Sequence, residues 1–221
     1  GFKTNTRRRK LLTAHRFVRY LSQRNQLLVE APTKLPAPHK IERVPFTVSH
    51  KLLIETIKTL PVTSVLERRN RALLWVLAET GCQVSEITQL RFEHWSKSGS
   101  GQNGKAQVVI PGKATRTLAV SSELFAEIEE LRAVSNGKSS VFLGFNKHGP
   151  LGAPISSRGV ELLVRFYSSR LNIPELTPRT FRHSAVVGWF EQGIAQDEIQ
   201  KRLGLRTAYA FRAYAPLLRT S

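Results

Sequence analysis

Four prolines between Val29 and Pro45 divide this chain of 221 residues into two unequal parts. Proline fixes φ and lacks the backbone donor, so a segment with Pro32, Pro36, Pro38 and Pro45 favours neither a continuous helix nor a paired strand. This composition predicts an extended linker over 29–45 and a domain boundary within it. The part before the linker has room for one helix, whereas the part after it is long enough for a domain with its own core.

Helical patterns dominate both parts of the chain. Apolar and basic residues mix at helical spacing over 6–28 and predict a first helix there. We expect Thr47 and Ser85 to cap later helices and Gly81 to end another. After the linker, apolar periodicity and these start and stop signals predict helices over 47–60, 66–80, 86–92, 121–134, 156–170, 178–192, 196–202 and 207–214.

Strand patterns are confined to the middle of the chain. Two short β-prone runs, 107–110 and 116–120, flank the turn residues 111–115 and predict a hairpin. The Gly/Ser-rich stretch 96–104 predicts a mobile loop, and 146–154 is rich in turn residues. The expected fold class is therefore α+β, mainly helical, with one small antiparallel β-sheet.

The charge balance indicates the kind of partner. Lysine and arginine number 34 against 16 aspartates and glutamates, which gives a formal charge of +18 and a pI near 10.9. A surplus of this size indicates a polyanion such as nucleic acid, and Arg7, Arg8, Arg9 and Lys10 form a run that can follow phosphates. A basic surface that is merely well solvated is the alternative reading.

Other classes of protein are excluded or disfavoured by composition. The single cysteine, Cys82, rules out an internal disulfide framework, and the six scattered histidines do not have the spacing of metal ligands. No apolar run approaches the ~18 residues of a membrane span. Methionine is absent even at position 1, so we expect part of the natural protein to be missing from this sequence.

The segment Thr177–Ser184, with the sequence TPRTFRHS, carries the strongest chemical signal. Arg179 and Arg182 are three residues apart at the start of a predicted helix and share one face of it. A pair of guanidinium groups can hold the oxygens of a phosphodiester. Gly204 and then Tyr214 follow, and a tyrosine on a later helix can attack the same phosphorus as a nucleophile. The pattern indicates DNA strand cleavage by covalent catalysis.

Four motifs in order resemble the tyrosine recombinases of the phage integrase and Xer type. They are Thr80–Ile87 with Leu90-Arg91-Phe92, Pro111-Gly112-Lys113 in the predicted hairpin, Thr177–Ser184, and Leu203-Gly204 with Tyr214. The resemblance covers about 7–214. It implies the family's catalytic-domain fold, with a small antiparallel sheet, over 46–221. It also implies that 1–28 is the last helix of a truncated N-terminal core-binding domain, that 29–45 is the linker, and that the two domains clamp DNA.

The same resemblance implies roles for individual residues. Tyr214 would be the nucleophile that forms a 3′-phosphotyrosine, Arg182 a phosphate clamp and Lys113 the general acid. Arginines that neutralise charge on the phosphorus oxygens remove the need for a metal or another cofactor. The implied partners are double-stranded DNA and further protomers, four on two sites, with a second intact recombinase as an option, in the DNA-associated cytoplasm. The expected DNA contacts are Arg7, Arg8, Arg9, Lys10, Lys113, Arg179 and Arg182.

Three catalytic positions depart from the family pattern. Gln83 stands where the first motif has arginine, Arg179 where the second has histidine, and Leu205 where histidine or tryptophan follows the Leu-Gly pair. Loss of one charged donor from a desolvated phosphate site costs about 3–4 kcal/mol of transition-state stabilisation. Two alternatives to an active recombinase are therefore a catalytically degenerate, DNA-binding accessory protein and a helix-turn-helix transcription factor built on 193–205 with a reading helix from 207.

Two neighbours of these motifs have structural roles by the same reasoning. His183 directly follows Arg182 and so points elsewhere on the helix, where we expect a buried and hydrogen-bonded imidazole. Glu86 is expected to hold the adjacent loop in place rather than to perform acid–base chemistry.

Overall fold

The computed structural model describes residues 3–24, 26, 36–39, 44–98, 105–207, 211, 214 and 215. The chain divides into two compact units, Gly1–Val44 and Pro45–Ser221. Most of the predicted linker over 29–45 lies outside the described residues, and the described positions 36–39, 44 and 45 belong to no helix or strand. Most of the helix predicted over 207–214 also lies outside them.

The first unit contains one long helix, α1 (Thr4–Gln23). It begins slightly before the predicted start at 6, and the predicted end at 28 lies outside the described residues. None of its residues is buried within the unit. Arg8 Nη1 donates to the carbonyl of Pro38 at 2.6 Å, which joins the helix to the segment 36–39. No helix in the described ranges is both long and apolar enough to cross a membrane.

The second unit contains helices and short strands in alternation. Its helices and strands are α2 (His50–Lys58), α3 (Val65–Thr80), α4 (Val84–Ile87), a 3₁₀ turn (Phe92–His94), β1 (Trp95–Ser98), β2 (Lys105–Ile110), β3 (Arg116–Val120), α5 (Ser122–Ala133), β4 (Leu143–Asn146), β5 (Gly149–Pro154), α6 (Ser157–Arg170), α7 (Pro178–Glu191) and α8 (Gln196–Arg202). The mainly helical α+β class predicted from the sequence is confirmed.

Helix α3 forms the centre of the core. Every residue from Ala72 to Ala78 is at most 5% exposed, because α2, α5 and α7 pack around this helix. Two helical turns that are apolar on all sides are stable only when other elements surround them in this way. Gly81 ends α3 in the left-handed conformation (φ 57°), as predicted. The end of α3 is thereby fixed beside α7.

Two small antiparallel sheets form, and the prediction of a single one is wrong. The predicted hairpin is confirmed as β2 and β3, but β1 pairs with β2 and adds a third strand. The loop predicted from 96 was wrong for 96–98, because the buried Trp95 anchors an edge strand despite its polar sequence. A second hairpin joins β4 to β5. It was missed because β5 lies mostly exposed, so its sequence shows turn residues and no apolar alternation.

Two predicted helix starts also need correction. Ser49, not Thr47, caps α2, since its Oγ accepts from the amide of Leu52. Gln83, not Ser85, precedes α4, and the helix ends at Ile87 instead of continuing to 92. The chain leaves α4 early because the carbonyl of Leu90 accepts from the amide of Val141 in an extended pairing.

Candidate functional site

A cleft of about 730 Å³ brings together residues from three of the motifs singled out in the sequence. Four of the six predicted catalytic positions line it, namely Gln83, Arg179, Arg182 and Tyr214. The remaining wall comes from α6 and from the segment that precedes α7. Its other lining residues are Cys82, Val84, Glu161, Arg165, Ser168, Pro174, Glu175, Leu176, Thr177, Pro178 and His183.

The start of α7 places both arginines at the cleft. Thr177 is the N-cap, and its Oγ1 accepts from the amide of Thr180 at 3.1 Å. Pro178 occupies the first helical turn, where its missing N–H leaves no bond unmade. The capped start fixes where the helix begins, so Arg179 and Arg182 both reach the cleft from its first turns.

Arg182 is buried, at 9% exposure, and two hydrogen bonds hold its side chain in place. Its Nη1 donates to the carbonyl of Gly81 at 2.7 Å, and its Nη2 donates to the carbonyl of Leu203 at 2.6 Å. The guanidinium therefore ties the ends of α3 and α8 to α7. Both partners are neutral carbonyls, so the hydrogen bonds orient the side chain without neutralising its charge. That arrangement is suited to an anion arriving in the cleft.

Tyr214 packs against the same wall. It is 6% exposed and belongs to a small apolar cluster with Ala185, Trp189 and Phe211. Its ring meets the ring of His183 edge to face, with centroids 5.3 Å apart. Its position on the cleft lining brings the phenol into one cavity with Arg182.

His183 differs from its expected role. It is half-buried, and its buried Nδ1 has no hydrogen-bond partner among the described residues, so the expected hydrogen-bonded imidazole is wrong at this nitrogen. Burial, together with the charges of Arg179 and Arg182, lowers the pKa of His183 to about 4. The imidazole is therefore neutral at pH 7. Its contact with Tyr214 was missed because sequence spacing does not report which way a later segment folds back.

Gln83 occupies the cleft wall as a neutral, exposed side chain. The backbone N–H of Gln83 donates to Glu86 Oε2 at 2.7 Å, which fixes the first turn of α4. The neighbouring Cys82 is buried, and burial raises the pKa of its thiol to about 11. The thiol thus remains protonated at neutral pH and is a poor nucleophile.

Lys113 lies outside the lining of the cleft, exposed on the turn between β2 and β3. The structure joins this turn to the cleft region through its backbone, since Arg206 Nη2 donates to the carbonyl of Lys113 at 2.8 Å. The position of the lysine side chain therefore depends on how the hairpin is held. Besides Arg206, Arg116 also holds the hairpin, since its Nη1 donates to the carbonyl of Ala114 at 3.2 Å.

Arg116 is a functional candidate that sequence reasoning missed. It pairs with the buried Glu86 through two hydrogen bonds of 2.7 and 3.1 Å, and its Nε donates to the carbonyl of Arg202 at 2.5 Å. It thus links β3 to α4 and α8. Glu86 holds its loop as expected, and Arg116 is the partner that balances its charge. The sequence signal that could have drawn attention to Arg116 was a charged residue at the start of a β-prone run.

The segment after α8 is shaped around Arg116. Gly204 has φ 65°, a backbone conformation that favours glycine. A Cβ at this position would also lie only 2.9 Å from Arg116 Nη1, so both the backbone and the close approach favour glycine. Leu205 does not line the cleft. It packs, half-buried, against the apolar cluster that contains Tyr214. Among the predicted DNA contacts on α1, Arg7, Arg9 and Lys10 are exposed, and Arg8 is bonded to Pro38.

Several curated relatives have similar sequences. The tyrosine recombinase XerC of Herpetosiphon aurantiacus is 28% identical over 211 residues, which cover 92% of this chain and 66% of the relative. The XerC of Rickettsia bellii is 27% identical over 223 residues, covering 97% and 70%. The chain spans about two thirds of the length of the relatives it matches.

Solved structures share the fold. The XerH site-specific recombinase bound to a palindromic difH substrate superimposes with a TM-score of 0.77 at 15% identity, covering the whole of this chain and 66% of that one. The Tn1549 transposon integrase in complex with circular intermediate DNA gives 0.64 at 15% identity, covering 95% and 73%. At this identity the likeness concerns the fold alone. It confirms the expected recombinase catalytic-domain architecture.

The phage integrase family model matches residues 49–218, well over half of the chain. The match includes all four motifs, from Thr80 to Tyr214, and it also spans 193–205, so it does not favour the helix-turn-helix alternative. With the fold and the order of motifs in agreement, this chain belongs to the phage integrase family.

Proposed function

We propose that this chain is the catalytic part of a site-specific DNA recombinase that cuts and rejoins strands through a covalent bond to Tyr214. The observation that carries the proposal is the shared cleft: Tyr214 and Arg182, which pairs with no carboxylate among the described residues, line the same cavity. A phosphodiester in that cavity would meet a fixed cation and a nucleophile together. The relatives named XerC and the transposon integrase support this reading.

In the proposed step, Tyr214 Oη attacks the phosphorus and the bond from phosphorus to the 5′-oxygen breaks. The phenol proton passes to solvent as the new bond forms, and the leaving oxygen takes a proton from Lys113. The products are a 3′-phosphotyrosine and a free 5′-hydroxyl. Because the linkage stores the energy of the broken bond, a 5′-hydroxyl of another strand reverses the step without an external energy source. No metal or other cofactor enters this scheme.

Charge stabilisation falls to Arg182 and Arg179 in this proposal. Arg182 contributes from a fixed position, and Arg179 contributes the positive charge that a histidine supplies in the family pattern. Gln83 contributes only a neutral amide from the cleft wall, and Leu205 contributes packing. We therefore expect slower chemistry than in relatives with the full set of charged donors. The exposure of Lys113 on its turn supports a role in meeting DNA that approaches from outside.

The proposal extends to organisation and partners. Residues 1–28 would be the last helix of a core-binding domain, 29–45 the linker and 46–221 the catalytic domain, and double-stranded DNA would be the partner. Exposed Arg7 and Arg9 on α1 support DNA contact by the first unit. Other protomers would be partners as well, as four copies on two sites. The lambda integrase, which resembles this chain in fold, has been crystallised as a dimer on a core site.

Covalent trapping tests the function. The chain is incubated with nicked duplexes from the neighbourhood of its own gene, denatured, and analysed for DNA-linked protein. We expect an adduct that Tyr214→Phe abolishes. Tyr167→Phe is the matched control, because it removes a buried phenol on α6 outside the cleft. Salt-sensitive DNA binding without any adduct would instead support the accessory, non-catalytic alternative.

A further inference from the structure

A second cavity lies away from the cleft and contains an unpaired buried arginine. This cavity, the Arg69 pocket, has a volume of about 260 Å³ and lies between the first half of α3, the end of α5 and the β4–β5 hairpin. It shares no lining residue with the cleft. Arg69 lies 11 residues before Thr80, so the pocket is roughly 17 Å along α3 from the end that Arg182 holds.

The environment of Arg69 is unusual for a charged side chain. Arg69 is 5% exposed, and its Nε and Nη1 have no hydrogen-bond partner in the part of the chain that the structure describes. Its guanidinium lies over the ring of Phe145, 4.9 Å from the centroid. Burial lowers its pKa to about 10, which leaves it charged at neutral pH. A buried charge without partners costs free energy, and a ligand that supplies the missing acceptors removes that cost.

The neighbouring arginines of α3 show that acceptors are within reach of this helix. Arg68 pairs with Glu127 and Glu130, and Arg71 pairs with Glu127 at 2.7 Å. Arg69 alone of the three turns into an apolar cavity, whose floor is formed by Phe92, Leu131 and Val141. Nε and Nη1 of Arg69 therefore lack acceptors among the described residues, and a carboxylate or similar anion attached to an apolar group would supply them and fill the cavity.

The mouth of the pocket indicates the size of that ligand. Val65, Val134 and Leu151 line the pocket and yet are exposed large apolar side chains. Lys138, also exposed, adds a second positive charge at the edge. Clustered apolar residues around a cavity are typical of a surface that a protein segment covers, with one anchor side chain inserted. A small acid would fill the cavity but leave this rim uncovered.

We propose that the Arg69 pocket binds an acidic peptide segment of a partner protein, with an apolar anchor side chain in the cavity and a neighbouring carboxylate on the Arg69 guanidinium. A second copy of this chain is disfavoured as the occupant, because its lysines and arginines outnumber its aspartates and glutamates 34 to 16 and it offers few acidic segments. DNA is disfavoured because the phosphates of a duplex are fixed on a broad backbone that cannot enter a cavity of about 260 Å³ behind an apolar rim. The pocket would thus recruit a partner independently of the cleft.

A labelled peptide tests the proposal. The probe is a fluorescein-labelled dodecapeptide with one phenylalanine flanked by aspartates, and binding to the full chain is followed by fluorescence anisotropy at 150 mM salt. We expect Arg69→Met, which keeps the apolar bulk, to weaken binding by about tenfold or more. Arg68→Met is the matched control, since it removes the same charge from the same helix outside the pocket. A peptide with alanine in place of phenylalanine should also bind weakly.

Each outcome decides the matter. Loss of binding in Arg69→Met but not in Arg68→Met supports the pocket. Equal loss in both variants means general attraction to a basic protein and overturns it, as does the absence of binding to the parent chain. Binding of phenylacetate without binding of the peptide overturns the partner segment in favour of a small acid. Thermal unfolding confirms that both variants fold, and trapping of Tyr214 is measured separately, so failure here leaves the proposed recombinase untouched.

Discussion

The cleft and the Arg69 pocket each contain a buried arginine. Arg182 in the cleft is 9% exposed and donates to the carbonyls of Gly81 and Leu203, whereas Arg69 in its pocket is 5% exposed and its Nε and Nη1 have no hydrogen-bond partner among the described residues. Burial is nearly equal, so exposure alone does not distinguish the two. The hydrogen bonds do: Arg182 is built into the fold as a fixed cation, while Arg69 is a cation that the fold leaves unsatisfied.

Replacing each arginine with methionine should give the largest contrast between the two sites, in the free energy of unfolding. Arg182→Met leaves two buried carbonyls unpaired, so we expect the free energy of unfolding to fall by about 2–4 kcal/mol and cleavage to slow by about 10³-fold. Arg69→Met removes a buried charge that has a ring contact with Phe145 but no carboxylate partner among the described residues, so the unfolding free energy of this variant should be unchanged or about 1 kcal/mol higher. Urea unfolding of both variants measures the contrast. An equal loss of stability at the two sites would mean that Arg69 has partners after all.

Arg116 tests whether the cleft depends on a charge pair that is satisfied within the chain. Arg116→Met leaves Glu86 buried without its counter-charge, and we expect a loss of about 3–5 kcal/mol in the free energy of unfolding. Adding Glu86→Gln should restore part of that loss, because a neutral amide needs no counter-charge. Where the single variant remains folded, its trapping rate at saturating DNA should fall while its DNA affinity holds, since the Lys113 turn loses its support. A trapping rate equal to that of the parent would show that Arg116 does not contribute to the site.

Gln83→Arg should improve charge stabilisation in the cleft, because it adds the positive charge that the family pattern has at this position. Gln83 lines the cleft with Arg182, so we expect the rate of covalent trapping to rise by about tenfold. Gln89→Arg is the matched control, because Gln89 is equally exposed nearby but lies outside the cleft lining. It should strengthen DNA binding without changing the rate. If both variants raise the rate equally, the gain comes from affinity and not from the transition state.

Sequence reasoning reached the helices and the cleft more readily than the pocket. Capping residues and apolar spacing are local signals, so α3, α5 and α7 could be predicted close to their observed bounds. Spaced motifs led to Arg182 and Tyr214 because each lies in a recognisable segment. Strand β1 and the β4–β5 hairpin could not be predicted, although their partner strands lie close in sequence, because the polar sequence of β1 and the Gly- and Pro-containing sequence of β5 suggest loops.

The partners of buried charges were beyond sequence reasoning as well. Nothing local distinguishes Arg69 from Arg68 and Arg71 on the same helix, although only Arg69 turns into the pocket without a carboxylate. Likewise, the pairing of Arg116 with Glu86 joins two segments whose contact depends on how the sheet meets α4. In both cases the decisive information is the direction of a side chain in the folded chain, which helical or strand spacing alone does not give.

The smallest expected effect is on the pKa of His183, which should respond to a substitution in the cleft and not to one in the Arg69 pocket. Burial, with the charges of Arg179 and Arg182, lowers its pKa to about 4 from an ordinary 6.5, so its contribution to stability is fully present above pH 6.5 and is lost as the pH falls towards 4. Arg179→Met removes one of the two charges and should raise the pKa of His183, though only partly, because burial is the larger cause. NMR titration of labelled histidines measures this shift. Arg69→Met, outside the cleft, should leave that pKa unchanged, and a shift in this control would mean that the two regions are electrostatically coupled.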